Sequence, residues 1–201
     1  MDILQTQNVL NIYIGFDEVE KVAYHTLSQS IIKHASSPVR ISPICSKHFR
    51  KFFNRPRDQK QSNDFSFTRF LVPYLNNYDG YAIFMDCDMM LRGDIFDVLN
   101  EVDLDNAVSV VKHDYTPSDK VKYLNKVQYS YPRKNWSSFV VWNCSHKKNR
   151  ELTPTFIENA SGLELHRFTW LLDTEIGDLN FRWNWLVGDY INPPMDVKNV
   201  H

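Results

Sequence analysis

Asp86 and Asp88 follow directly on the apolar run Tyr81-Ala82-Ile83-Phe84-Met85, which Gly80 precedes. Such a run behind a glycine reads as a strand buried on both faces. Side chains two apart on an extended chain project the same way, so both carboxylates leave the strand's end together. Two carboxylates aimed at one point repel unless a cation lies between them, and hard oxygen donors suit Mg²⁺ or Mn²⁺. In open α/β sheets, ligands gather at the C-terminal ends of strands. The chemistry expected is an acidic cradle for a divalent cation, open to a substrate that brings phosphate oxygens. The plainer reading of Asp-x-Asp is a solvated turn. The apolar run weighs against it, because the carboxylates then close a core element.

The elements that must position this pair are legible around it. Val9 to Asp17 reads as a first strand, with Asp17 at its C-terminal end. Val22 to His34 carries apolar residues at helical spacing, and Pro38 stops it. Val39 to Cys45 is a second strand, with Pro43 arguing for a sheet edge. Strand, helix and strand at this spacing make a βαβ unit, so the sheet should be at least partly parallel. Lys47 to Asn63 is basic and reads as a solvated loop, with a phosphate-binding arm as the alternative. Ser66 to Asn76 reads as a helix strained by Pro73. It carries Arg69, either a surface charge or a partner for one of the two aspartates and for phosphate.

Further on, Asp94 suits the cap of a helix over Ile95 to Asn100. Ala107 to Val111 is another buried strand, leading into His113 and Asp114, an acid–base pair or a structural histidine at a turn. Tyr129 to Lys134 is aromatic and basic. Trp136, Ser137 and Ser138 open the strand-like run Phe139 to Cys144, and an aromatic beside small hydroxyls suits a sugar face on the acceptor side. The alternative is an ordinary strand with a serine-rich lead-in. Helices are expected over Asn149 to Glu158 and Glu164 to Leu172, irregular chain over Asp178 to Trp185, and a late strand or loop over Val197 to His201.

The 201 residues suggest one domain spanning 1–201, and 43% apolar content supports a buried core. A net charge of −1 leaves no broad basic footprint for nucleic acid. Cys45, Cys87 and Cys144 are too scattered for a disulfide framework or a zinc pattern, which suggests a reducing, cytoplasmic setting. Met1 to Gln5 lacks the charged and apolar regions of a signal peptide, and no stretch reaches the ~18 apolar residues of a transmembrane segment.

Taken together, Ile12-Tyr13-Ile14-Gly15-Phe16-Asp17, Phe67 to Pro73, Phe84-Met85-Asp86-Cys87-Asp88, Arg92-Gly93-Asp94-Ile95 and Ser138 to Asn143 resemble a nucleotide-sugar glycosyltransferase of the GT-A type. They are most similar to the retaining family 8 hexosyltransferases. The resemblance implies an α/β, Rossmann-like GT-A fold with a mostly parallel central sheet flanked by helices. It implies a UDP-hexose donor, a glycan, lipid or protein hydroxyl as acceptor, and Mn²⁺ or Mg²⁺ as cofactor. Phe16 and Asp17 would meet the nucleobase, Asp86 and Asp88 the cation and diphosphate. Arg69 would orient the acidic pair and the donor, and Asp173 would lie near the transferred sugar. His201 matches the first position of the family's His-x-x-Gly-x-x-Lys-Pro segment and would be the third metal ligand. The chain stops there, so a natural C-terminal continuation is expected. Two rival readings remain at this level. A nucleotidyltransferase would want a glycine-rich basic loop after the first strand, where Gly15 to Glu20 is acidic instead. A nucleotide-sugar-binding protein without turnover would share the same site.

Overall fold

The computed structural model describes residues 9–58, 61–113, 121–122, 126–127 and 133–201. Met1 to Gln5, Lys60, Asp114 and Tyr129, all used in the sequence reading, lie outside the described residues. Among the described residues the strands in chain order are β1 (Leu10–Gly15), β2 (Val39–Ile44), β3 (Tyr81–Met85), β4 (Met90–Leu91), β5 (Val108–Val110), β6 (Val121–Lys122), β7 (Lys126–Val127), β8 (Phe139–Asn143), β9 (Ile176–Asp178) and β10 (Asn199–Val200). The helices are α1 (Lys21–His34), α2 (Val72–Leu75), α3 (Pro154–Asn159) and α4 (Gly162–His166), with several 3-10 segments between them.

Six strands form the central sheet in the order β2-β1-β3-β8-β5-β9. β1 pairs parallel with β2 and β3, and β5 pairs parallel with β9, while β8 runs antiparallel between β3 and β5. This is the mostly parallel α/β sheet expected of a GT-A fold. β2 lies at the sheet's edge, as Pro43 requires, because a proline nitrogen has no hydrogen for an inner ladder. β3 and β8 are central, so Ala82 to Met85 and Phe139 to Asn143 are buried on both faces. α1 turns Leu27 and Ile31 inward, and its Ser30 hydroxyl accepts a bond from the Leu91 amide, tying the helix to β4.

Three helix expectations fail, and prolines decide two of them. The helix expected over Ser66 to Asn76 is two short pieces, a 3-10 turn at Thr68–Leu71 and then α2. Pro73 lies in the first turn of α2, the one place in a helix where its missing N–H costs nothing. Pro154 likewise starts α3, behind a Thr153 cap that accepts from the Phe156 amide, so the helix expected over Asn149 to Glu158 breaks in two. The helix expected over Glu164 to Leu172 is shorter and earlier. Ser161 and Glu164 form a capping box that starts α4. Phe168, in the left-handed region at φ 55°, closes the turn that follows it. β9 falls where no strand was expected. A Cβ on its Gly177 would lie 2.5 Å from the Asn106 side chain and 2.7 Å from Ser109 Oγ.

Gly15 ends β1 under equal constraint. An added Cβ there would lie 2.3 Å from the Phe65 ring, which is buried and packed near Phe84. Gly15→Ala is therefore expected to cost about 1–3 kcal/mol, the usual cost of overpacking a filled core. Urea denaturation of the variant beside the unaltered chain checks it, and an unchanged midpoint would mean that Phe65 can give way.

Candidate active site

The chain turns just past β3, and the pairing of β4 with β10 brings the late segment back to that turn. Val200 lies opposite Met90 in this antiparallel pair, so the next residue, His201, arrives beside Asp88. Single ligand atoms of Asp86, Asp88 and His201 all lie within 4.8 Å of one another. His201 Nε2 lies 3.5 Å from Asp88 Oδ1. The Asp88 side chain is 57% exposed, so the cluster opens to the outside. Two carboxylate oxygens and one imidazole nitrogen converging on a point, with one side open, suit Mn²⁺ or Mg²⁺ together with ligands that a substrate brings.

Asp86 and His201 are held from behind. Arg69 is 5% exposed and bridges Asp86 Oδ1 at 2.8 Å, while its Nη1 also donates to the Ser137 carbonyl at 2.8 Å. Its guanidinium lies over the Phe84 ring at 4.9 Å. Of the two roles open to Arg69, the surface charge is ruled out, and the ion pair with Asp86 is present. The Asp86 amide donates to the Ser138 carbonyl at 2.8 Å. On the other side, His201 Nδ1 meets Asn184 Oδ1 at 2.8 Å. Burial pushes the His201 imidazole down, but the Asp88 hydrogen bond and the charges of Asp88 and Asp86 outweigh it and hold the ring above its ordinary value. For Asp88, desolvation pushes up, and the His201 contacts outweigh it and hold the carboxyl below the usual range.

A further carboxylate, Glu20, stands at this turn. Its Oε2 accepts from Cys87 Sγ at 3.4 Å. Burial first, then the charge of Asp88, holds Glu20 above the usual carboxylate range. Burial and the surrounding carboxylates push the Cys87 thiol far up, so it stays protonated and is no thiolate ligand. Sequence reading passed over Glu20 because nothing in an acidic surface turn marks it as facing residues 67 and 68 positions away. Asn184 escaped as well. The signal available was a single polar residue between Trp183 and Trp185 in an otherwise apolar stretch.

The other expected site residues have these surroundings. Asp17 caps the turn after β1, its Oδ1 accepting from the Val19 amide at 3.0 Å and its Oδ2 from the Asp64 amide at 3.1 Å. Phe16 packs edge-on against Tyr24, with Lys47 Nζ 5.5 Å from its ring centre. Ser137 and Ser138 are buried, and both hydroxyls bond inward. Ser137 Oγ meets His166 Nδ1 at 2.7 Å, and Ser138 Oγ donates to the Asn135 carbonyl at 2.7 Å. Trp136 is half-buried, donates to the His113 carbonyl and lies under the cations of Arg133 and Lys112. Asp173 is 85% exposed and pairs with the same Arg133. The basic stretch after β2, expected as a solvated loop, walls a cavity of about 440 Å³ with Lys47, Arg50, Arg55 and Arg57. His113 bonds the Tyr190 hydroxyl at 2.8 Å, and burial, with the His201 charge, drives its ring down to about 4. It is therefore neutral near pH 7.

The segment that carries Asn184 is pinned by Glu101. Its Oε1 accepts from Arg182 at 2.6 Å and from Trp183 Nε1 at 2.9 Å, and its Oε2 from the Asn180 amide at 3.0 Å. Burial raises this carboxyl, but those bonds outweigh it and hold it below its ordinary value of 4.5. A carboxylate depressed in the folded state stabilises above its unfolded pKa and loses that contribution as pH falls through its folded value. Glu101→Gln should cost about 1.5–3 kcal/mol at pH 7, as for hydrogen bonds to a charged group. The difference should shrink below pH 4, and urea denaturation at both pH values measures it.

The profile described as Glycosyl transferase family 8 matches residues 2–199. The chain belongs to glycosyl transferase family 8. Protein CDI of Arabidopsis thaliana is 45% identical over 196 residues, which cover 94% of this family 8 chain and 76% of that protein. Among solved structures, the apo form of the bifunctional glycosyltransferase WbbM matches with a TM-score of 0.65 at 14% identity, over 97% of this chain and 46% of WbbM. The chain thus spans less than half the length of that enzyme. The galactosyltransferase LgtC, in complex with donor and acceptor sugar analogs, matches with a TM-score of 0.54 at 12% identity, over 96% of this chain and 86% of LgtC. At these identities the likeness is one of fold, and the fold is that of the GT-A glycosyltransferases. No helix among the described residues is long and apolar enough to cross a membrane.

Proposed function

We propose that this family 8 chain is a metal-dependent hexosyltransferase. It moves a sugar from a UDP-hexose to a hydroxyl of a glycan, lipid or protein, with retention at the anomeric carbon. The observation that carries the reading is the convergence of Asp86, Asp88 and His201 at the end of the central strand β3. Bound there, Mn²⁺ or Mg²⁺ would act as a Lewis acid toward the departing nucleoside diphosphate. Asp86, Asp88 and His201 would hold it. Arg69 fixes Asp86 in place and adds a buried positive charge beside the path of the phosphates. Phe16 and Asp17, at the end of the neighbouring β1, would meet the nucleobase. Asp173 would approach the transferred sugar, with Trp136 offering its ring to the acceptor side. Membership of the family supports retention and the hexose that the resemblance implied.

UDP release from UDP-glucose and UDP-galactose tests the proposal, with Mn²⁺ and with a chelator. Cation-dependent release is expected from one of the two donors. Proton NMR of the product then reads its anomeric configuration, and an inverted product would remove the retention alone. Tight donor binding without release, even with acceptors supplied, would leave a binding protein in place of an enzyme.

A further inference from the structure

Two side chains, Ser138 and Asn184, and the Asn135 carbonyl form a directed chain behind His201. The Asn135 carbonyl can only accept, so the Ser138 hydroxyl must spend its single proton there, at 2.7 Å. Ser138 Oγ can then only accept from Asn184, which must present its amide nitrogen to it, at 2.8 Å. With Nδ2 so engaged, Asn184 turns its carbonyl oxygen to His201 Nδ1, at 2.8 Å. An oxygen acceptor there requires a proton on Nδ1, so Nε2 is the nitrogen left to face Asp88 Oδ1, 3.5 Å away. Without a metal a proton on Nε2 fills that gap, and a cation bound between His201 and Asp88 would take the proton's place on the Nε2 lone pair. Asn184 and Ser138 are fully or almost fully buried, so water does not compete for these bonds.

We propose that Asn184 is a positioning residue that commits His201 to the tautomer whose Nε2 ligates the catalytic cation, with the direction set by the Asn135 carbonyl through Ser138. The inference rests on the cation reading above and adds to it a residue that touches neither substrate nor metal. The same Ser137-Ser138 turn also supplies carbonyls to Arg69 and to the Asp86 amide. One short turn before β8 therefore holds two of the three ligands.

The test is Mn²⁺ binding to the full chain in the presence of UDP, read as free Mn²⁺ by electron paramagnetic resonance. Asn184→Leu keeps the shape and removes the acceptor, and should weaken Mn²⁺ by about 10–100-fold, the usual effect of losing the hydrogen bond behind a metal-bound histidine. Asn184→Asp keeps an acceptor toward Nδ1 and should recover most of that loss. Imidazole ¹⁵N spectra of the unaltered, metal-free chain, followed to a pH high enough to leave His201 neutral, should show the remaining proton on Nδ1. This reading does not depend on whether the Leu variant folds, and His201→Gln assigns the signal. A neutral ring protonated on Nε2 instead would overturn the inference, as would equal Mn²⁺ affinity in the folded Leu variant. Absence of Mn²⁺ binding by the unaltered chain would remove the cation reading, and this inference with it.

Discussion

Asp88→Asn should abolish the cation-dependent part of nucleotide-sugar binding and leave the fold intact. The amide keeps the size of the carboxylate and removes its charge. Losing a hydrogen bond behind a ligand already weakens metal sites by 10–100-fold, so losing the ligand's charge should cost at least about 100-fold. Stability should hardly move, because the side chain is 57% exposed and such positions usually stay within about 0.5 kcal/mol. Two opposing effects sit inside that small number. The variant loses the contact with His201 but relieves repulsion from Asp86 and Glu20. Thermal shift separates binding from folding in one measurement. At 100 times the dissociation constant a ligand adds about 2.7 kcal/mol, or about 5–10 °C for a domain of this size. The unaltered chain should show that rise with Mn²⁺ and UDP-sugar, and Asp88→Asn should melt at the same temperature with or without them. An equal rise in both would remove Asp88 from the site.

The parts of the site that could be read in advance are those whose physics is local. Asp86 and Asp88 lie on one side because strand geometry puts residues two apart together, and the apolar run before them requires a buried strand. The edge position of β2 is written in Pro43. What could not be read depends on distant pairing. β9 has three residues with a glycine at its centre, and only the partner β5 makes Ile176–Asp178 a strand. Local pattern gave no reason to place Glu20 beside Asp88, because α1 and β4 must first pack. Ser137 and Ser138 carry the composition of a sugar-binding lead-in, yet their hydroxyls turn inward to His166, Asn135 and Asn184. Composition gives the donors available, and burial decides whether a substrate or the protein receives them. His201 is an intermediate case. Its place in the sequence matched a family segment, but only the pairing of β10 with β4 shows how a residue 113 positions beyond Asp88 reaches it.

Arg69→Met is the substitution expected to cost most stability. The side chain is 6% exposed and its partner Asp86 16%, so removing the guanidinium leaves a carboxylate with little water to replace it. Breaking a buried pair from one side costs about 3–5 kcal/mol, largely because the surviving charge stays buried. The Ser137 carbonyl also loses its donor. If the uncompensated charge is the cause, Arg69→Met combined with Asp86→Asn should recover at least half of the loss, and a double-mutant cycle in urea measures that coupling. The cation supplies a second check on the same cause. A divalent ion at Asp86 neutralises the charge that Arg69 abandons, so saturating Mn²⁺ should shrink the penalty of the single variant. The variant should bind bare Mn²⁺ no more weakly than the unaltered chain, since a neighbouring positive charge has gone. It should bind the anionic UDP-sugar with Mn²⁺ more weakly, since on the proposed reading that charge would face the phosphates. Asp88→Asn weakens both. The opposite responses of these two variants to metal alone would assign Asp88 to the cation and Arg69 to the anion that follows it, and parallel losses would collapse the two roles into one structural defect.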